Sequence, residues 1–386
     1  MTQKLLYGIV FLLMTGLMAC NNASRKQQAT EQPAAVEQQQ QSYYNRLTGT
    51  LGTTDAVLQL VKYQSRDRDQ QAATDDCSRG ILTVDTTQPM QIAGYVNADS
   101  AIVLVTYDHY TPVDTLVGQF TAGVFEGRFT DTSGTSQPFQ LQPDFQDGSY
   151  HWQVATHRDS LVLDSSLTDS PKGETDLLTL WPSDDMPVAA RKQIADTLSQ
   201  SFFGMHQSYT QGGALLQAAS DTFLQRYDYT IHEMLRDDNQ MRPSFNWNLL
   251  TYMDVLANAK DRVSLRFTRY DYTGGAHGMQ SVFCLNVDTK TGAILRLSDL
   301  FKPGFEQQLQ EMLEAELRQQ YDIPQGEPLN GEKGLLFDPH LPVSKNFYLT
   351  QKGIGFVYNP YEVAAYVVGE INLYVPFARI ADLMVK

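Results

Sequence analysis

The chain has 386 residues, 42% of them hydrophobic and 19% charged, enough for two or three domains with cores of their own. Its formal net charge of −15 repels phosphate backbones and excludes nucleic acid as a natural partner. A cationic protein is the partner class that such a charge favours.

The first element reads as an export signal. Lys4 precedes an apolar run from Leu5 to Leu17, followed by Met18, Ala19 and Cys20. The run is too short for a comfortable membrane span and has the form of a secretory signal core. Small or apolar residues directly before a cysteine resemble the lipobox of bacterial lipoproteins. That resemblance implies a signal peptide over 1–19 and lipidation at Cys20, whose acyl chains would anchor the protein to a membrane. Asn21 after the cysteine implies the outer membrane by the sorting rule of enteric bacteria, facing either the periplasm or the outside. The alternative is an ordinary secretory signal with a coincidental cysteine. Residues 20–45 are rich in Gln and Ala and poor in large apolar side chains, the composition of a disordered tether.

Short strands fill the next region, 46–170. "AVLQLVKY", "MQIAGYV", "AIVLVTYD", "TLVGQF" and "VFEGRFTD" are separated by turn residues such as Asn97 to Ser100 and Ser133-Gly134. Gly118, Gly123 and Gly127 punctuate the later part. The pattern predicts a small all-β meander or open barrel, similar to Gly-rich meander domains of envelope lipoproteins. Arg66 to Gly80 reads as a polar loop within it.

The period then lengthens. Ile194, Leu198 and Phe202 stand four apart and predict a helix over Pro187 to Phe203, with Pro at its first turn. Ala219, Phe223, Tyr227, Ile231 and Leu235 predict a second, opened by Gly212-Gly213. In "DRVSLRFTRYDY" the period falls to two, a half-buried strand. "SVFCLNVD" and "AILRLSDLF" flank a hairpin turn at Thr289 to Gly292. Phe305, Leu309, Met312, Leu313 and Leu317 mark another helix. "NFYLTQKGIGFVYN" reads as a hairpin, "EINLYVPF" as a last strand and "ARIADLMV" as a closing helix. The expected fold class is α+β: a C-terminal antiparallel sheet with helices packed on one face, preceded by the β domain. Expected domains are 185–260 and 261–386.

Cys77 and Cys284 can form a disulfide in an exported protein; the alternative is two separate thiols. Neither they nor the seven histidines have metal-ligand spacing, and no cofactor is expected. His277, in "YDYTGGAHG", follows a glycine pair that accepts the positive φ of a sharp corner. It reads as a structural histidine, a contact residue or a general base. Asp271 and Ser281 are near it in sequence, but nothing arranges them as a triad. "YNPYEVAAY" supplies Tyr358, Tyr361 and Tyr366 beside an Asn-Pro turn, either as sheet-capping residues or as a contact surface.

"YDYTGGAHG", "LNVDTKTGAILRLSDLF" and "GIGFVYNPYEVAAYVVGEINLYVPF" resemble the extracellular domain of RsiV-type anti-sigma factors, a domain also found beside peptidoglycan deacetylase domains. Residues 185–260 resemble its usual companion. The resemblance covers about half of the chain and implies binding of a protein such as lysozyme, or of peptidoglycan, in the cell envelope. It supplies no contact residues position by position. This chain shows no anti-sigma segment, spanning helix or deacetylase metal motif, so the expectation is a lipid-anchored binding protein without catalysis. Tyr270, Tyr272, His277, Tyr358, Tyr361 and Tyr366 are its candidate contact residues. The alternatives are a cell-wall hydrolase or deacetylase accessory enzyme using His277, and an envelope scaffold.

Overall fold

The computed structural model describes residues 42–64, 76–97, 99–108, 111–146, 148–237, 242–331 and 334–385. The expected signal, Cys20 and the tether as far as residue 41 lie outside the described residues, as does most of the polar stretch before Cys77. Regular structure starts at Tyr43, inside the stretch expected to be tether. No helix among the described residues is long and apolar enough to cross a membrane.

Eight strands open the fold: β1 (Tyr43–Leu51), β2 (Thr54–Gln64), β3 (Asp76–Val84), β4 (Met90–Val96), β5 (Ile102–Asp108), β6 (Thr111–Thr121), β7 (Val124–Thr130) and β8 (Ser136–Pro143). Each pairs antiparallel with the next, and β8 returns to β1 from Leu47↔Pro143 to Leu51↔Phe139. The barrel is therefore closed rather than open. Glycines on four strands permit this. A Cβ at Gly49, Gly80, Gly94 or Gly127 would lie within 2.0 Å of a carbonyl oxygen of the neighbouring strand. Only residues without a Cβ allow backbones to coil that closely. Leu47, Leu58, Leu60, Leu104, Phe125 and Phe139 fill the interior.

The second layer is a five-stranded sheet in the order β13-β12-β11-β10-β9. Its strands are β9 (Trp152–Val162), β10 (Lys172–Pro182), β11 (Trp247–Ala259), β12 (Arg262–Tyr272) and β13 (Met279–Asp288). Helices α1 (Val188–Thr197) and α2 (Gly212–Asp237) lie between β10 and β11 in the chain. That crossover lets β10 and β11 run parallel, Gly173 opposite Trp247. The sheet is mixed, which corrects the expectation of a purely antiparallel one. Both helices pack on one face. Ala219, Phe223, Tyr227 and Ile231 are buried as the four-residue stripe requires. Phe202 and Phe203 meet Phe267 of β12 at 4.8 and 5.1 Å between centroids.

The expected breaks near 170 and 260 fall inside this sheet. Residue 170 lies in the β9–β10 connection. Residues 260 and 261 form the tight β11–β12 turn, with Lys260 at φ 55° and Asp261 at φ 59°.

The third layer holds α3 (Leu297–Leu300), α4 (Glu306–Gln320), α5 (Phe377–Ile380) and a three-stranded antiparallel sheet of β14 (Phe347–Leu349), β15 (Gly353–Tyr358) and β16 (Ile371–Pro376). Leu309, Leu313 and Leu317 of α4 share its core with Phe347, Phe356 and Leu373. The expected hairpin after Thr289 shrinks to one bridge, Val287↔Ile294. The chain then turns into α3, where Asp299 accepts the Arg296 N–H at 2.8 Å.

Ion pairs pin the layers together. Arg79 of β3 makes two bonds to Asp254 of β11 at 2.8 and 2.7 Å, and Arg266 of β12 makes two to Glu370 at 2.8 and 2.6 Å. Ile81, Leu256, Val282, Tyr348, Val357 and Tyr374 form an apolar cluster at the same junction. The candidate disulfide is not made: Cys77 sits on β3 and Cys284 on β13, and no bridge joins them. Burial pushes the Cys284 thiol up to about 12, the behaviour of a thiol packed as a small apolar side chain.

Candidate functional site: an aromatic corner

The connection from β12 to β13 passes through Gly274 and Gly275 at φ 92° and 95°. Side chains with a Cβ rarely adopt that backbone, so the glycine pair sets the corner. The Tyr272 hydroxyl donates to the Gly275 carbonyl at 3.0 Å and holds the loop against the end of β12.

After the corner, the carbonyl of Gly278 collects two donors: the Tyr366 hydroxyl at 2.7 Å and Nδ1 of His277 at 2.9 Å. A carbonyl oxygen only accepts, so this bond places a proton on Nδ1. Gly278 has no room for a side chain, because a Cβ there would lie 2.2 Å from the Tyr270 hydroxyl. Tyr270 thus backs the corner from the sheet side.

The rings assemble above that carbonyl. His277 stacks on Tyr366 at 3.8 Å and 20° between planes. Tyr361 stands 5.5 Å from Tyr366 and 6.4 Å from His277. Tyr361 is 50% exposed and neighbouring Val367 91% exposed. The product is a half-open aromatic shelf on two loops.

The second loop owes its position to asparagines that sequence patterns did not single out. The Val282 N–H donates to Asn359 Oδ1 at 2.6 Å, and Asn359 Nδ2 donates to the Val282 carbonyl at 3.1 Å. Asn346 adds a bond to the same carbonyl and accepts the Cys284 N–H, both at 2.8 Å. Two side chains thereby satisfy the outer edge of β13 as another strand would. The Asn359 N–H donates to Glu362 at 2.8 Å, and Tyr361 between them takes φ 67°. The cue in the sequence was Asn-Pro, which announces a turn but not what the asparagine side chain binds.

Of the six candidate contact residues, His277, Tyr361 and Tyr366 meet in the shelf, and Tyr270 and Tyr272 support it. Tyr358 does not join them. It is fully buried, and its hydroxyl donates to the Pro342 carbonyl at 2.7 Å. Burial raises that hydroxyl well above the usual phenol range. The residue alternates inward on β15, so it is core, and its place among surface candidates is corrected. His277 and Asp271 are also not joined as base and orienting acid: Asp271 pairs with Arg269 at 3.3 Å. Among the described residues no three His, Cys, Asp or Glu side chains group as a metal site.

Comparisons with known proteins divide at this corner. Residues 183–280 match the family model described as deacetylase PdaC, and residues 298–378 match that described as a protein of unknown function, DUF3298. Tyr270, Tyr272 and His277 lie in the first segment, Tyr361 and Tyr366 in the second. The chain is 25% identical over 133 residues to the peptidoglycan-N-acetylmuramic acid deacetylase PdaC of Bacillus subtilis, covering 34% of this chain and 28% of that relative. Among solved structures, a DUF3298-family protein of Bacteroides fragilis superimposes with TM-score 0.55 at 19% identity, over 62% of this chain and 96% of that one. A DUF3298-family protein of Pseudomonas aeruginosa gives 0.40 at 18% identity, over 61% and 94%. The Bacteroides fragilis likeness shows the fold.

Proposed function

We propose that this chain is a lipid-anchored protein of the cell envelope, held at Cys20 in the outer membrane, that binds peptidoglycan through the aromatic corner without chemistry of its own. The observation that carries this reading is the His277–Tyr366 stack. It is one half-exposed aromatic surface built jointly by the two segments that match the deacetylase-associated families. Flat rings held by a shared carbonyl present little entropy to lose and suit the apolar face of a sugar ring. The name of the Bacillus subtilis relative supplies the class of polymer. Contact is favoured over general-base work because the described partners of His277 are a carbonyl and two rings, with no carboxylate to orient and charge the imidazole.

A second reading rests on the net charge of −15, which favours capture of a cationic, lysozyme-like protein. Calorimetric titration of the full chain with soluble peptidoglycan fragments and with lysozyme separates the two. The first reading predicts heat from the fragments that persists in high salt. Heat from lysozyme alone, lost in high salt, would replace it by the second.

A further inference from the structure

The corner opens onto a sheet face that the helices leave uncovered. On β10, Gly173 abuts Tyr227 of α2 and Thr175 bonds Ser220 at 2.6 Å, so alternate residues Glu174 and Asp176 face the other way. The strand register carries that face across the sheet. Arg158 pairs with Asp176, Asp176 with Leu250, Leu250 with Tyr270, and Tyr270 with Gln280. Asn248 and Tyr272 continue it one row towards the corner. At the opposite end, Asp254 and Arg266 are covered by Arg79 of the barrel and Glu370 of the third layer. The guanidinium of Arg79 also lies over the ring of Tyr252, 4.4 Å from its centroid. Between that closed end and the glycine corner the row from Arg158 to Gln280 is half-buried or exposed.

We propose that this exposed half-face is the floor on which a neutral glycan strand lies as it leaves the aromatic corner. The inference rests on the reading of the corner as a peptidoglycan contact and extends it from one sugar to a chain. Charge chooses the occupant. Every carboxylate that the register places on this face is matched: Glu174 with Lys172 at 2.8 Å, Asp176 with Arg158 and, at the covered end, Asp254 with Arg79 at 2.7 Å, where Arg266 is matched in turn by Glu370 of the third layer at 2.6 Å. On a chain of net charge −15 this face is electrically balanced, so it offers a cationic protein little. Its side chains instead suit hydroxyl and acetamido groups: paired carboxylates and guanidinium groups, amides, and tyrosine rings for stacking. Asn248 and Thr268, half-buried on the same face, add an amide and a hydroxyl to it. From β10 to β13 are three strand spacings, about 14 Å at ~4.8 Å each, a run longer than a single sugar.

The test titrates the full chain with N-acetylglucosamine oligomers of two, four and six units, comparing wild type, Leu250→Arg, Gln280→Ala and Tyr361→Ala. Leu250 and Gln280 are half-buried on the floor, and thermal unfolding checks that each variant keeps its fold. Wild-type affinity should rise about tenfold or more from dimer to hexamer, since each added sugar gains floor contacts. Leu250→Arg should keep dimer binding and lose that rise, and Gln280→Ala should reduce it several-fold. Tyr361→Ala should weaken all lengths alike. Dimer binding without gain in length, or a rise that Leu250→Arg leaves intact, overturns the floor and spares the corner. No binding of any oligomer overturns both. Capture of lysozyme that Leu250→Arg abolishes would assign the face to a protein and likewise overturn the proposal.

Discussion

Asn359 grips Val282 by both of its backbone groups, accepting the N–H at 2.6 Å and donating to the carbonyl at 3.1 Å. One side chain thus caps the edge of β13 and sets where the loop with Tyr361 and Tyr366 begins. Asn359→Ala leaves the Val282 N–H without a partner, whereas the carbonyl keeps Asn346. The expected loss is about 1–3 kcal/mol in denaturant unfolding, together with weaker binding at the corner. Asn359→Asp keeps the acceptor for the N–H and should restore part of the stability.

Arg79 and Asp254 form a buried bidentate pair between barrel and sheet, with the Asp254 side chain 1% exposed. Arg79→Met strands that carboxylate and should cost about 3–5 kcal/mol. The double change Arg79→Met with Asp254→Leu should recover most of the loss, since it removes the uncompensated charge. A double-mutant cycle by chemical denaturation measures the coupling.

Cys284 gives stability a dependence on alkaline pH. Burial raises its thiol from 9.0 to about 12. Below 9 the thiol is protonated in both folded and unfolded chains and the folded state keeps its full stability. As pH rises from 9 towards 12 only the unfolded chain releases the proton, so stability falls. Unfolding curves across that window should show a decline that Cys284→Ala reduces.

Tyr358 and Tyr361 make an internal control. Tyr358→Phe removes one buried bond to Pro342 and should cost about 1 kcal/mol without changing ligand affinity. Tyr361→Ala touches an exposed ring and should leave stability nearly unchanged while weakening the ligand several-fold. The opposite pattern would move the contact surface away from the corner.

Periodicity made the helices legible. Ile194 of α1 is buried together with Leu198 and Phe202 of the π-helical turn that continues it (Leu198–Phe202), and Leu309, Leu313 and Leu317 share the buried stripe of α4, because a repeat near four residues turns one helical face inward. Five of the eight barrel strands, β2 and β4 to β7, were legible from apolar runs between turn residues, whereas β1 begins inside the expected tether and β3 inside the expected polar loop. Which strands pair was not legible. The contact of Leu51 with Phe139 that closes the barrel joins residues whose own alternation holds no record of a partner. The parallel run of Gly173 beside Trp247 is likewise set by the helical crossover. The glycine corner was legible from its two adjacent glycines. Tyr358 was misplaced because its neighbours Asn359 and Pro360 mark a turn, whereas its own position is the last inward residue of β15. The junction of His277 with Tyr366 spans 89 residues, beyond any local pattern.

Co-sedimentation of the full chain with purified peptidoglycan, wild type against Tyr361→Ala, tests the central claim most directly. The account predicts that the wild-type chain pellets with the polymer at high salt and that the variant, equally stable, stays largely in the supernatant. Wild-type protein that remains in solution, or a variant that pellets equally well, would contradict it.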